Sequence, residues 1–396
     1  MIKRVAIIIE RADVSLGGAE RSMFEVAEAL SSLGVQVDLL AAKGQATAPN
    51  VHILCADIPD KRVSLPVFAD ALRQHVAQAD YDIVHSVLPF TGIDLYQPRG
   101  GTYAEVALRN AASYPNPLVR RWKRMTAFAN LRRVRLLRAE RRCCHGSKGP
   151  IVAALSRYVV EQLRRHYATD PGRIVRMLNG VDTEARADPR VAGDFRSKVL
   201  SQMGIRNGRE PMLFLFAAHN FRLKGLYPLI QAMQLAGPTD TERPACLIVV
   251  GAGKRDKYRR LAKRLGVQDR VLFSGPVQDI RSILPATDVG VLPTFHDASS
   301  RFILEALAAG KPVITTRFNG ATDHFTDGRH GKVIDSPDNV AALADAIRYF
   351  ANSANIARAS QAIIEDNLRA NISTRRVADE LLRVYEAIDN CRPHPS

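Results

Sequence analysis

Apolar positions recur along this chain with two periods, and the alternation between the periods lays out the fold. Short apolar runs at Val5–Glu10, Val35–Ala41, Val51–Leu54, Asp82–Val87, Ile151–Ser156 and within 173–178 predict buried strands. Between them, Ala19–Leu33, Leu65–Val76 and Arg157–Tyr167 place apolar residues three and four apart, the spacing of a helix face. The second half repeats the alternation more regularly. Strands are predicted at Met212–Ala217, Ala245–Val250, Val271–Ser274, Val289–Leu292 and Val313–Thr315, with a helix at Leu226–Gln234. From Pro337 onward the chain reads as helical and polar. It ends in an amphipathic helix over Thr374–Ile388, with Val377, Leu381, Val384, Tyr385 and Ile388 on one face. Strands alternating with helical crossovers predict an α/β protein built on parallel, doubly wound sheets.

A chain of 396 residues is too long for one ordinary core, so two such domains are expected. The turn signal Asn179-Gly180 and the polar stretch around Asp188-Pro189 place the boundary near 180–190, with that stretch read as a linker. No run of about 18 uncharged apolar residues occurs, so no membrane span is expected. The N-terminal MIKRVAIIIERAD reads as a first strand rather than a signal peptide. The five cysteines have no metal-ligand spacing and suggest no disulfide framework, which fits a reducing cytoplasm.

Charge changes the picture in one place. The net charge is +16, and the stretch 109–148 alone holds 12 Lys and Arg against the single acid Glu140. From Leu118 to Arg142, apolar residues including Trp122, the only tryptophan, recur every three to four positions among ten basic side chains. This predicts a basic amphipathic helix lying on an anionic membrane surface, with Trp122, Arg132, Arg133, Arg135 and Arg138 as contacts. A nucleic-acid-binding face is the rival reading, and a solvated helix packed on its domain is the plain one.

The candidate chemistry centres on Asp297–Thr316, DASSRFILEALAAGKPVITT. Asp297 stands eight residues ahead of Glu305, with Ser299-Ser300 and Arg301 between them. A helix starting near Ser300 presents unsatisfied N–H groups and partial positive charge, suited to phosphate. The two carboxylates are placed to grip hydroxyls nearby, so the stretch suits a nucleotide-sugar. The loop His219 to Gly225 adds cationic candidates in His219, Arg222 and Lys224. Gly17 and Gly18 sit where a strand turns into a helix, where glycine lets backbone approach a ligand closely. The loop Tyr96–Tyr103 follows a strand at its C-terminal end and carries Arg99. Asp80-Tyr81-Asp82 has the spacing of a metal-holding D-x-D, but it precedes its strand, whereas ligands in open α/β sheets sit beyond the C-terminal strand ends. It is read as a turn, and no metal site is expected. Gly251-Ala252-Gly253 lacks the third glycine of a dinucleotide fingerprint.

Taken in order, Gly17-Gly18-Ala19-Glu20-Arg21, Asn179-Gly180-Val181-Asp182, Lys224-Gly225 and Asp297 to Glu305 with the tail Ala309-Gly310-Lys311-Pro312-Val313 resemble the family-4 retaining glycosyltransferases of the GT-B fold. Within that family the chain looks most like the lipopolysaccharide-core glucosyltransferases. The resemblance implies two Rossmann-like domains facing across a cleft. They comprise an acceptor-side domain over 1–182 with the basic insertion 109–148, a nucleotide-sugar domain over 183–370, and a C-terminal helix over 371–396 crossing back to the first domain. It implies metal-independent transfer of a hexose, with UDP-glucose as the expected donor, to an anionic glycolipid on the cytoplasmic face of the membrane. No cofactor is expected. Gly17 and Gly18 would approach the diphosphate, Lys224 with Arg222 or His219 would neutralise it, and Glu305 would hold the ribose. Asp297 would contact the donor sugar, supported by the backbone of Ser300 and Arg301. Asp297, Lys224 and Arg222 are the expected catalytic groups, and His85 and Arg99 the acceptor-side candidates. Asp297 stands where the family usually has Glu, and Ser300 where it usually has Gly. The alternatives are a nucleotide-sugar epimerase or phosphorylase of the same fold, and a nucleic-acid-binding protein on an inactive transferase fold.

Overall fold

The computed structural model describes residues 2–13, 18–58, 63–184, 188–204, 210–237 and 244–392. The chain divides into two compact units. The first comprises Met1–Ala107, Met125–Asp182 and Ser373–Ser396; the second comprises Leu108–Arg124 and Thr183–Ile372.

Elements run in chain order as β1 (Arg4–Ala12), α1 (Gly18–Ser32), β2 (Gln36–Gly44), β3 (Val51–Ile53), α2 (Leu65–Ala77), β4 (Ile83–Ser86) and β5 (Leu95–Tyr96). Then come α3 (Tyr103–Ala112), α4 (Pro117–Met125), α5 (Leu131–Cys144), β6 (Ile151–Ala154), α6 (Arg157–Tyr167) and β7 (Ile174–Arg176). The second unit adds α7 (Pro189–Gln202), β8 (Met212–Ala217), α8 (Leu226–Ala236), β9 (Ala245–Val250), α9 (Asp256–Arg264), β10 (Val271–Gly275), β11 (Val289–Leu292), α10 (Arg301–Ala308), β12 (Val313–Thr316) and β13 (Gly331–Ile334). It closes with α11 (Val340–Phe350), α12 (Ser353–Glu365) and α13 (Leu368–Asn371), before α14 (Thr374–Asn390) returns to the first unit.

Both sheets are parallel throughout, with strand orders β3-β2-β1-β4-β5-β6-β7 and β10-β9-β8-β11-β12-β13. The order reverses between β1 and β4 in the first and between β8 and β11 in the second. Such switch points leave a crevice beyond the C-terminal strand ends, where open α/β sheets bind ligands. The strands explain the pattern: Val5, Ala6, Ile7, Ile8 and Ile9 of β1 are all buried, as expected of a strand with helices on both faces. In the first unit α14 packs Val377, Ala378, Leu381 and Tyr385 onto Met23, Val26, Ala27 and Leu30 of α1.

Three readings of the pattern change. The basic stretch is not one helix. It breaks into α4, a 3-10 turn over Thr126–Ala129 and α5, where the Asn130 side chain accepts from the Arg133 N–H and restarts the helix. The polar stretch after Asp188 is the helix α7, capped by the Asp188 carboxylate on the Arg190 N–H with Pro189 in its first turn. Tyr96 belongs to the short strand β5 rather than to a loop. Asp82 uses its carboxylate on the N–H groups of Lys3 (2.6 Å) and Arg4 (2.8 Å), a structural role at the N-terminal edge of the sheet.

Candidate active site

The loops after β8 and β11 flank the switch point of the second unit, and they meet through one residue without a side chain. Gly225 has φ +82°, and a Cβ there would lie 1.9 Å from the Pro293 carbonyl oxygen. Only glycine permits that approach. It brings the neighbouring Lys224 over the β11 loop, where Nζ donates to Asp297 Oδ2 (2.5 Å) and to the His296 carbonyl (3.1 Å). Both side chains keep a fifth of their surface in solvent, 22% for Lys224 and 18% for Asp297. An ammonium is thus held, still reachable, at the strand ends.

Asp297 is fixed by its backbone. Its N–H donates to Phe318 O and its carbonyl accepts from Gly320 N, both at 2.9 Å, which ties the loop after β11 to the loop after β12. Asn319 completes the tie. It is fully buried, its Oδ1 accepts from the N–H groups of Ser300 and Ala321 (each 3.1 Å), and its Nδ2 donates to Thr315 Oγ1 (2.9 Å). Helix α10 then begins at Arg301 and buries Glu305 one turn later. The Glu305 carboxylate lies 3.3 Å from the Arg301 guanidinium, an i,i+4 pair with both side chains at least nine-tenths buried.

The expected donor-side residues separate accordingly. Lys224, Asp297, Arg301 and Glu305 lie in the β8, β11 and α10 region, joined pairwise as Lys224–Asp297 and Arg301–Glu305. His219 stands exposed in the loop after β8. Two expectations are corrected. The Ser300 N–H is already bonded to Asn319, so it is not available to a phosphate. Arg222 is taken up by the end of α3: its Nη1 donates to Asn110 O (2.8 Å) and to Ser113 Oγ, its Nη2 to Asn110 Oδ1 (2.5 Å), and its guanidinium lies 3.9 Å from the Tyr114 ring centre. A planar fork with five donors suits that multiple hold, and it removes Arg222 as a leaving-group cation. Asn319 is the residue that sequence reasoning missed; the Asn-Gly pair after β12 was its signal.

In the first unit, Gly17 lies outside the described residues, and Gly18 opens α1. Arg99 joins three segments. It donates to Asn179 Oδ1 (2.8 Å), to Gln97 Oε1 (3.2 Å) and to Ser22 Oγ on α1. Arg376 of α14 holds the same turn through the carbonyls of Leu178 (2.8 Å) and Asn179 (3.1 Å). Arg99 is therefore a strut under the start of α1. His85 is corrected as an acceptor-side group. It is fully buried on β4, its Nδ1 lies 2.7 Å from the Tyr385 hydroxyl, and burial above all, with Arg99 next, pushes its pKa down to about 3. A neutral core imidazole meets no substrate.

On the basic stretch, Leu118, Trp122 and Met125 are 76%, 56% and 70% exposed and recur one helical turn apart along α4. Arg121 and Arg124 are exposed among them. Arg120 instead pairs bidentately with Asp338 (2.8 and 3.0 Å), and Arg132 pairs with Glu10. The single acid of the stretch, Glu140, is fully buried. It accepts from Tyr96 Oη (2.9 Å), from the Tyr103 N–H (2.7 Å) and from Tyr167 Oη, which seats α5 on the sheet. Among the described residues, no group of three His, Cys, Asp or Glu is placed to hold a metal ion, and no helix is long and apolar enough to cross a membrane.

Comparison with known proteins bears on the family and the fold. A family profile described as glycosyltransferase family 4 matches residues 16–185, and one described as glycosyl transferases group 1 matches residues 210–353. The chain is 24% identical over 344 residues to the lipopolysaccharide glucosyltransferase WaaG of Escherichia coli K12, covering 84% of this chain and 85% of that protein. The crystal structure of WaaG superposes with a TM-score of 0.72 at 22% identity, covering 97% of this chain and 99% of that one. Anabaena HepE in complex with UDP-glucose superposes with a TM-score of 0.69 at 16% identity, covering 97% and 99%. The fold is thus that of the two-domain GT-B structures. With one profile on each half and both describing sugar transfer, the chain belongs to the glycosyltransferases, family 4 in its N-terminal part and group 1 in its C-terminal part.

Proposed function

We propose that this protein moves a hexose from UDP-glucose to an anionic glycolipid of the lipopolysaccharide-core type, with retention at the anomeric carbon and without a metal. The observation that carries the reading is the Lys224–Asp297 pair, held at the switch point of the second sheet by the Gly225 approach and the Asn319 tie. As the bond from anomeric carbon to diphosphate breaks, negative charge grows on the leaving group, and a preorganised cation there lowers the barrier. Lys224 is that cation. Asp297 orients it and accepts from hydroxyls of the sugar, and Glu305 accepts from the ribose hydroxyls. The WaaG likeness supports a core glycolipid acceptor, and the HepE complex supports UDP-glucose. The exposed apolar row of α4 with Arg121 and Arg124 supports peripheral attachment to the cytoplasmic face of the membrane.

The test is a UDP-release screen over nucleotide sugars, with and without core glycolipid and with and without a chelator. Release that requires both UDP-glucose and the glycolipid, and persists in chelator, is expected. Conversion of donor to an epimer without acceptor would replace the reading with an epimerase.

A further inference from the structure

The first unit has a switch point of its own. The strand order reverses between β1 and β4, and beyond those strand ends a cleft of about 200 Å³ opens. Glu10 at the end of β1, Ser64 before α2, and Arg132 and Arg135 of α5 supply its polar wall; Phe68 and Leu88 are among the apolar residues of its floor. Arg132 pairs with Glu10, while Arg135 is exposed and makes no ion pair among the described residues. Counting Glu10, Arg132 and Arg135, the cleft carries one net positive charge. Residues three and four apart share a helix face, so Arg132, Arg135 and Leu136 turn into the cleft together, and Arg138 is not among its lining. The basic residues of α5 thus divide between a cleft and an outer surface.

We infer that this cleft binds a phosphomonoester or carboxylate group on a sugar of the acceptor, with Arg135 and Arg132 holding the anion and Glu10 and Ser64 taking neighbouring hydroxyls. The inference rests on the transferase reading for calling the ligand an acceptor. The chemistry of the cleft stands apart from that reading. Two guanidiniums suit an oxyanion, and a paired carboxylate keeps lone pairs for hydroxyls. Arg135 accordingly selects the acceptor, and its contribution does not need a membrane.

The experiment is titration calorimetry without lipid. The probes are a deacylated core oligosaccharide bearing phosphate and carboxylate, the same glycan treated with phosphatase, and the same glycan with its carboxyls reduced. Wild type is expected to bind the untreated glycan, Arg135→Gln to bind it about tenfold more weakly or worse, and Arg138→Gln to match wild type. One of the two treatments should weaken wild type as much and leave Arg135→Gln no weaker than before, which identifies the anion as phosphate or carboxylate. Equal binding by wild type and Arg135→Gln, equal losses from both treatments in the two proteins, or no binding by wild type would overturn the inference. Matching thermal melts exclude misfolding of this exposed-site variant. Transfer to intact glycolipid, assayed in parallel, reports on the transferase reading separately: transfer without Arg135-dependent binding sinks only the cleft.

Discussion

At the scale of single residues, the site depends on groups that hold other groups. Lys224 reaches Asp297 because Gly225 lacks a Cβ, and Asp297 stays in place because Asn319 stitches the adjoining loops. Glu140 does the same for α5, and it carries a measurable signature. Burial raises its pKa from 4.5 to about 7, against the opposing pull of its three donors. A carboxyl raised in the folded state contributes stability that is complete below pH 4.5 and is lost as pH rises through about 7. The loss is on the order of 3 kcal/mol for a shift of this kind. Thermal melts should therefore fall from pH 5 to pH 8 in wild type, and Glu140→Gln should flatten that slope; an unchanged slope would refute the assignment. Asp297 and Glu305 were singled out by their spacing in a loop–helix–strand pattern and Lys224 as a cation in the loop after β8, and the fold joins Lys224 to Asp297. Arg222 and His85 were misplaced because spacing does not say what else a side chain can reach: Asn110 and Ser113 for one, Tyr385 for the other.

At the scale of elements, most strands and most helices were legible because both sheets are parallel and buried, so their apolar runs are unbroken; the short strands β5 and β13 were not read. The helices α3, α7 and α9 were not, and for α7 the signal is a cap at Asp188 rather than a strong apolar stripe. The basic stretch was read as continuous because its apolar period continues through residues 126–130, where the backbone does not. That break matters for membrane attachment. On α4, Leu118, Trp122 and Met125 form the exposed row, whereas on α5 part of the arginine face lines a cleft. Replacing Leu118, Trp122 and Met125 with Ser should release the protein from vesicles containing acidic phospholipid while leaving transfer to a deacylated acceptor intact. Sedimentation with vesicles checks this, and undiminished binding by the triple variant would remove α4 from the membrane contact.

At the scale of the whole molecule, each sheet has one switch point, and each switch point carries a different chemistry. The second unit offers a lysine held by a carboxylate together with a buried acid on a helix, which suits a nucleotide-sugar. The first offers two arginines beside a carboxylate, which suits an anionic glycan. A net charge of +16 favours anionic partners at long range, in keeping with the proposed donor, acceptor and membrane surface. The most direct test follows radiolabel from UDP-glucose into core glycolipid, with wild type beside Lys224→Ala and Glu305→Ala. Wild type should label the lipid, and each variant should fall by about a hundredfold or more with its fold retained. Wild-type rates in folded Lys224→Ala and Glu305→Ala would contradict the account.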